Sequence, residues 1–177
     1  MKQKIKIFII EDMCKDAETM LDLLKQSAAK MGEGENEFTF QWLKGEDEET
    51  VETERHQYYT DNILNVLEEE ISKSIRDHYE VGILLDIVLT REEDIKSKNS
   101  LYPYVDLAKK IYFKYENKIP MYLITSYALF AIASDTIMGK DLSQCYATKS
   151  DLKGKDLSGS DFILKYFTEN PAKMENN

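Results

Sequence analysis

The stretch Val81-Gly82-Ile83-Leu84-Leu85-Asp86-Ile87-Val88-Leu89 is an apolar run interrupted by a single carboxylate. A near-continuous run of Val, Ile and Leu is typical of a strand that is buried on both faces of a parallel sheet. A charge without partners is poorly tolerated in a core, but at the carboxyl end of the strand Asp86 would line the crevice where open α/β sheets bind ligands. Taken alone, the stretch leaves two interpretations of Asp86 open: a residue that ends the strand, or a functional carboxylate.

The composition is typical of one soluble globular domain. A chain of 177 residues is long enough for one domain and too short for two ordinary ones, so we expect a single domain over residues 1–177. The net charge of -10 argues against nucleic acid as a partner, because a protein surface that binds nucleic acid must be basic. No apolar run is long enough to span a bilayer, and Ile5–Ile10 lacks the features of a signal peptide. With only Cys14 and Cys145, we expect a cytoplasmic protein without disulfides.

Strand and helix patterns alternate five times along the chain. Strands are predicted around Ile5–Ile10, Phe38–Leu43, the Asp86 stretch, Met121–Ile124 and Cys145–Thr148. Helices are predicted around Ala17–Met31, Tyr58–His78, Leu101–Tyr115, Ala128–Ile137 and Ser160–Thr168. Such alternation predicts an α/β fold with a five-stranded parallel sheet and helices on both faces. The expected strand order is the flavodoxin-like 2-1-3-4-5.

Polar residues stand where these strands end. Glu11 and Asp12 follow the first strand, Asp86 ends the third, Thr125 follows the fourth and Lys149 follows the fifth. In the expected strand order the first and third strands are neighbours at the topological switch point. Three carboxylates would therefore share one crevice with a hydroxyl group and an ammonium group.

Such a set of groups indicates phosphoryl transfer. Crowded carboxylates repel one another unless a cation joins them, and Mg²⁺ is a hard cation that prefers oxygen ligands. A metal beside a carboxylate, a hydroxyl and a lysine is the equipment for phosphoryl transfer to an aspartate, here Asp86. The metal and Lys149 would neutralise charge on the phosphoryl oxygens, and Thr125 would donate a hydrogen bond to one of them.

Over almost its whole length the chain resembles the receiver domain of two-component response regulators. The matching pieces are Ile9-Ile10-Glu11-Asp12, Leu84-Leu85-Asp86, Leu123-Ile124-Thr125-Ser126 and Tyr146-Ala147-Thr148-Lys149. The resemblance implies that Asp86 accepts a phosphoryl group from a histidine kinase or a histidine phosphotransfer protein. It also implies a conformational switch that signals to a downstream effector protein. Any enzymatic activity would be limited to self-phosphorylation and autodephosphorylation.

The resemblance further implies a magnesium site and its ligands. Asp12 and Asp86 would bind Mg²⁺ directly, Glu11 would bind it through water, and the backbone carbonyl of Val88 would be the third protein ligand. Three more residues correspond to the parts of the switch. Thr125 matches the switch hydroxyl, Tyr146 the switch aromatic residue and Lys149 the lysine that binds the phosphoryl group.

The chain departs from the family pattern at single residues and in the length of its segments. Thr90 and Ser150 stand where receivers usually have proline. The segments at about 45–57 and 90–100 are longer than in a minimal receiver, and a polar tail covers 169–177. The proline that is replaced by Ser150 usually follows a cis peptide, so we expect the loop that carries Lys149 to be shaped differently.

Two alternatives to the phosphoacceptor interpretation stay open. The first is a receiver-shaped module that binds a protein partner without phosphorylation. The second is a phosphohydrolase with an aspartate nucleophile, although such enzymes usually have an acidic residue at the position of Val88. Because the chain ends nine residues after Thr168, we expect a stand-alone receiver whose signal leaves through a partner protein.

Overall fold

The structure, a computed structural model, describes residues 2–11, 14–31, 36–43, 52–86, 102–115, 118–125, 146–152 and 157–172. The strands within these ranges are β1 (Gln3–Ile10), β2 (Asn36–Leu43), β3 (Glu80–Asp86), β4 (Met121–Thr125) and β5 (Tyr146–Thr148). The helices are α1 (Cys14–Met31), α2 (Glu52–Arg76), α3 (Tyr102–Lys114), the single turn α4 (Lys149–Leu152) and α5 (Ser158–Glu169). Four strands run parallel in the order β2-β1-β3-β4, and the three-residue β5 pairs in parallel with the other side of β4. The predicted α/β class and parallel sheet are confirmed.

Several element boundaries differ from the predicted ones. Helix α2 begins at Glu52, before the predicted start at about Tyr58 and inside the segment at about 45–57 that is longer than in a minimal receiver. Glutamate has a good helix propensity, so an acidic composition did not prevent helix formation there. Lys149 begins the turn α4, and α5 begins at Ser158 rather than about Ser160. The helix predicted over 128–137 and the segment 90–100 lie outside the described residues.

Side chains along β1 alternate between two cores, one on each face of the sheet. Ile5, Ile7 and Ile9 belong to the first core, and Phe8 and Ile10 to the second. The first core is completed by α1 and α5, including Met20, Leu24, Ile163, Leu164 and Phe167. The second core is completed by α2 and α3, including Ile63, Leu67, Ile71, Leu107 and Ile111. A strand that is buried on both faces needs helices on both, and the near-continuous apolar sequence of β1 provides for this.

Gly82 lets α5 approach the sheet closely. An ideal Cβ atom at this position would lie 2.5 Å from Cδ1 and 2.6 Å from Cε1 of Phe167. The aromatic ring therefore packs against the backbone of β3, the strand that ends in Asp86. This contact sets the depth at which α5 covers the first core.

A polar contact also joins α5 to α1. Asp161 accepts a hydrogen bond from the buried Ser27 hydroxyl through Oδ1, and its Oδ2 lies 2.8 Å from Lys30 Nζ. Because Ser27 is buried, its hydroxyl group needs such a partner. The contact therefore fixes the position of one helix relative to the other.

The helices are amphipathic, as surface helices of a sheet protein should be. In α1, Ala17 and Leu24 are fully buried, whereas Glu18, Asp22 and Lys25 are exposed. Within the described ranges, no helix combines the length and the apolar character that crossing a membrane requires.

Candidate functional site

The register of the sheet brings the ends of β1 and β3 to the same place. Ile10 pairs with Leu85, so the next residues, Glu11 and Asp86, leave neighbouring parallel strands at the same edge. On the other side of β3, Asp86 itself pairs with Ile124 of β4. The carboxyl edge of the sheet thus presents an acidic residue from each of its two central strands.

The chain reaches the same edge again through β4 and β5. Thr125 pairs with Thr148, the last residue of β5. Lys149 comes next and begins α4, so the chain turns directly over the edge of the sheet. Because the strand is followed at once by a helical turn, the position of Lys149 is fixed on both sides by regular structure.

Lys149 forms ion pairs with three carboxylates at this edge. Its Nζ atom lies 2.5 Å from Asp86 Oδ2, 2.8 Å from Glu11 Oε2 and 2.9 Å from Asp16 Oδ2. The side chains of Glu11 and Asp86 have no exposed surface, that of Lys149 is 8% exposed and that of Asp16 is 28% exposed. These four residues are called the Lys149 cluster below. A buried group of this kind is tolerated only because opposite charges face one another at short range.

Burial and the neighbouring charges shift the pKa values of Asp86 and Lys149. Burial raises the pKa of the Asp86 carboxyl well above its usual value, the Glu11 carboxylate raises it further, and the Lys149 ammonium opposes both effects. Burial by itself would lower the pKa of Lys149, but the Asp86 and Glu11 carboxylates outweigh it and raise that pKa above its usual value. Lys149 is therefore a permanent cation in the cluster.

Trp42 holds the backbone beside the cluster. Its Nε1–H group donates a 2.8 Å hydrogen bond to the backbone carbonyl oxygen of Glu11. Trp42 is the penultimate residue of β2 and pairs with Ile9 of β1, so the bond reaches past the end of the neighbouring strand. It is also the only tryptophan in the chain, and its fluorescence is therefore a local reporter of this site.

The structure brings together three of the site residues that the sequence predicts. Glu11, Asp86 and Lys149 arrive from three separate segments and meet in the cluster. Thr125 and Tyr146 lie in β4 and β5, where the structure describes the backbone and not these side chains. Their roles in a switch stay predictions.

Two predicted magnesium ligands, Asp12 and Val88, lie outside the described residues, as does Thr90. Ser150, where the family has proline, is the second residue of α4. Lys149 nevertheless reaches Asp86, so the replacement of this proline by serine does not separate the two side chains.

Asp16 is a member of the cluster that the sequence interpretation missed. It lies in the first turn of α1, where a carboxylate is also favoured by the helix dipole. A signal was present in the sequence: Asp16 directly precedes Ala17, the first apolar residue of the predicted helix, so it stands where the chain leaves the end of the first strand.

The donor set of the cluster suits a hard cation only in part. Three carboxylates face one ammonium group, so the cluster has an excess of negative charge when all its members are ionised. Carboxylate oxygens are the ligands that Mg²⁺ prefers, and Glu11 and Asp86 are the two buried ones. Among the described residues, however, no three acidic, histidine or cysteine side chains are arranged to hold a metal ion. The complete ligand set therefore stays a prediction that depends on Asp12 and Val88.

Comparison of the chain with protein-family models, with curated proteins and with solved structures finds no match. The fold and the site define an α/β protein in which a buried lysine joins carboxylates at the carboxyl edge of a parallel sheet. In open α/β sheets this edge is where ligands bind. The function of the protein is therefore inferred from the chemistry of the side chains at this edge.

Proposed function

We propose that the protein is a receiver-like signalling domain in which Asp86 accepts a phosphoryl group from a histidine kinase or a histidine phosphotransfer protein. The observation that carries the proposal is the meeting of Lys149 with Asp86 and Glu11 at the carboxyl edge of the sheet. The order of the four long strands is compatible with the flavodoxin-like topology that the proposal includes. A lysine held against an aspartate in a ligand crevice is suited to binding a phosphoryl group on that aspartate.

The proposed reaction is a nucleophilic displacement at phosphorus. One carboxylate oxygen of Asp86 attacks the phosphorus atom, the bond from phosphorus to the donor's imidazole nitrogen breaks, and its electron pair stays with the ring. With a small acyl phosphate as donor, the phosphorus–oxygen bond breaks and the carboxylate leaves. Lys149 keeps its proton throughout and faces the phosphoryl oxygens with its positive charge. The product is an acyl phosphate on Asp86.

Mg²⁺ belongs to the proposal because the cluster has more negative than positive charge when all its members are ionised. Asp86, Asp12 and the Val88 carbonyl would hold the ion directly, and Glu11 would hold it through water. When bound, it supplies neutralisation of charge on the phosphoryl oxygens. Lys149 supplies the same kind of stabilisation from the protein itself.

Phosphorylation would act through a shift between two conformations. The added group brings negative charge and strong acceptor oxygens, which favour a conformation in which Thr125 and Lys149 bind them. In the proposed switch Tyr146 changes its position with Thr125, and a partner protein recognises the new surface. Lys149 begins α4, so a movement of its side chain is connected directly to that helical turn.

One observation favours a second candidate function. The Asp86 side chain has no exposed surface and is already paired with Lys149, an arrangement that also serves a purely structural cluster. In that case the protein is a receiver-shaped interaction module that binds its partner without phosphorylation. The two candidates differ in whether the cluster responds to a phosphoryl group.

Beryllofluoride, a mimic of the phosphoryl group, separates these candidates. The protein is titrated with beryllofluoride in the presence of Mg²⁺ while Trp42 fluorescence and the amide NMR spectrum are recorded. The proposal predicts a saturable response in the wild type, none in Asp86→Asn, and a normal response in Asp22→Asn, a matched change at an exposed position of α1. A wild type that is folded but does not respond contradicts the proposal and favours the interaction module. Multiple turnover on small phosphate esters would instead favour a hydrolase.

A further inference from the structure

Lys149 has three partners of unequal exposure. Its ammonium group has three N–H bonds and lies beside oxygen atoms of Asp86, Glu11 and Asp16. The first two carboxylates are fully buried, whereas the Asp16 side chain is 28% exposed. Asp16 also accepts a hydrogen bond from Lys149 Nζ, at 2.9 Å. The ammonium is thus surrounded on its buried side by two carboxylates and closed off on its outer side by a third.

A phosphoryl group that approaches Asp86 needs Lys149 to turn one of these N–H groups toward it during the transfer. One existing partner must then give way. In the loose transition state of the transfer Asp86 still carries most of its carboxylate charge, and Glu11 carries its charge throughout. Release of either one at that stage would leave a buried carboxylate without its counter-ion, which is strongly unfavourable. Release of Asp16 exposes a carboxylate that water already reaches, so its loss of the ion pair is compensated by hydration. The unequal burial therefore marks Asp16 as the partner that exchanges.

We propose that Asp16 is a positioning residue that holds Lys149 and competes with the incoming phosphoryl group for its ammonium. The inference rests on the proposed function. Asp16 lies in the first turn of α1, so the competition also connects the start of this helix to the state of the site. Asp16 thereby lowers the rate at which Asp86 is phosphorylated.

The test uses acetyl phosphate and Mg²⁺ with the full chain, and follows the mass of the intact protein over time. Asp16→Asn keeps the size of the side chain and removes its charge, so Lys149 loses this ion pair and keeps those with Asp86 and Glu11. We expect this variant to be phosphorylated several-fold faster than the wild type. Asp16→Glu keeps the charge and is expected at the wild-type rate. Asp22→Asn removes one negative charge from an exposed position of the same helix and controls for the change in net charge.

NMR of the isotope-labelled lysine ammonium groups measures whether Asp16 holds the Lys149 ammonium, and the rate of phosphorylation then shows whether this contact competes with the phosphoryl group. In the wild type, the buried and ion-paired Lys149 ammonium is expected to exchange its protons slowly with water. In Asp16→Asn the exchange is expected to be faster, while Asp16→Glu and Asp22→Asn match the wild type. Unfolding in urea verifies that the variants are folded.

The possible results distinguish this inference from the proposed function. Faster phosphorylation and faster ammonium exchange in Asp16→Asn alone support it, including the case in which only that variant reacts. A wild type that reacts, with Asp16→Asn equal or slower, overturns the role of Asp16 and leaves Asp86 as the phosphoacceptor. If neither protein is phosphorylated, the proposed function fails and the competition fails with it.

Discussion

Lys149 Nζ lies 2.5 Å from Asp86 Oδ2, and both side chains are almost completely buried. The lysine is the cation that makes the burial of Asp86 and Glu11 acceptable. The loss of Lys149 should therefore affect both the stability of the fold and the chemistry of the site, and the two effects can be measured separately.

Replacement of Lys149 by methionine is expected to destabilise the protein strongly. The change leaves two buried carboxylates without a counter-ion, which costs about 3–5 kcal/mol in the free energy of unfolding. Unfolding in urea measures the effect. Lys165→Met is the matched control, since Lys165 is 65% exposed in a surface pair whose loss changes stability by less than about 1 kcal/mol.

A second substitution checks the cause of that loss. Adding Asp86→Asn to Lys149→Met removes one of the two uncompensated charges and is expected to restore part of the stability. If the two substitutions instead destabilise additively, the ion pair is not the source of the effect.

Gly82→Ala is expected to destabilise the protein although it adds only one methyl group. The new Cβ atom would lie 2.5 Å from the Phe167 ring, so α5 or the ring must move. Overpacking of this kind costs about 1–3 kcal/mol. The measurement is the free energy of unfolding of Gly82→Ala, of Phe167→Leu and of the double variant. The double variant should lose less stability than the sum of the two single variants, and strict additivity would contradict the contact.

Asp161→Ala is expected to loosen the contact between α1 and α5. The buried Ser27 hydroxyl loses its acceptor, and an unsatisfied buried hydroxyl costs about 1–3 kcal/mol. Ser27→Ala in the same background removes the unsatisfied group and should recover part of this loss in a double-mutant cycle. Lys30→Ala removes only the exposed ion pair and should cost less than about 1 kcal/mol. A larger effect of Lys30→Ala than of Asp161→Ala would contradict this assignment.

Trp42→Phe is expected to keep the fold and to weaken the backbone beside the site. The indole N–H group no longer donates to the Glu11 carbonyl, and the loss of such a bond costs about 1 kcal/mol. Amide exchange around Glu11 should become faster in this variant, while exchange in the middle of β3 stays unchanged. Unchanged amide exchange at both places would show that the hydrogen bond does not hold this segment.

The sequence predicts the sheet well because its signal is local. Runs such as Ile5–Ile10 are apolar on both faces, and in a chain that alternates strand and helix this pattern indicates a parallel sheet. Glu11, Asp86 and Lys149 could be predicted as neighbours because each follows or ends a strand. Their positions follow from the topology alone.

The parts that the sequence did not predict depend on packing between distant segments. Asp16 reaches Lys149 across 133 positions of the chain because α1 lies over the same edge of the sheet as α4. The Trp42 indole reaches the Glu11 carbonyl for a similar reason. The start of α2 at Glu52, ahead of the predicted Tyr58, could not be fixed from the sequence because a charged stretch is compatible with a loop and with the start of a helix.

The central claim is that Asp86 accepts a phosphoryl group. Identifying the residue that becomes phosphorylated tests this claim most directly. The protein is incubated with acetyl phosphate and Mg²⁺, its intact mass is recorded, and the acyl phosphate is reduced with borohydride before peptide mapping. Reduction of a phosphorylated aspartate yields homoserine, which marks the residue that carried the group. We predict a mass increase of one phosphoryl group in the wild type, homoserine at position 86, and no reaction in Asp86→Asn. A folded wild type without the mass increase, or a modification that persists in Asp86→Asn, would contradict the claim.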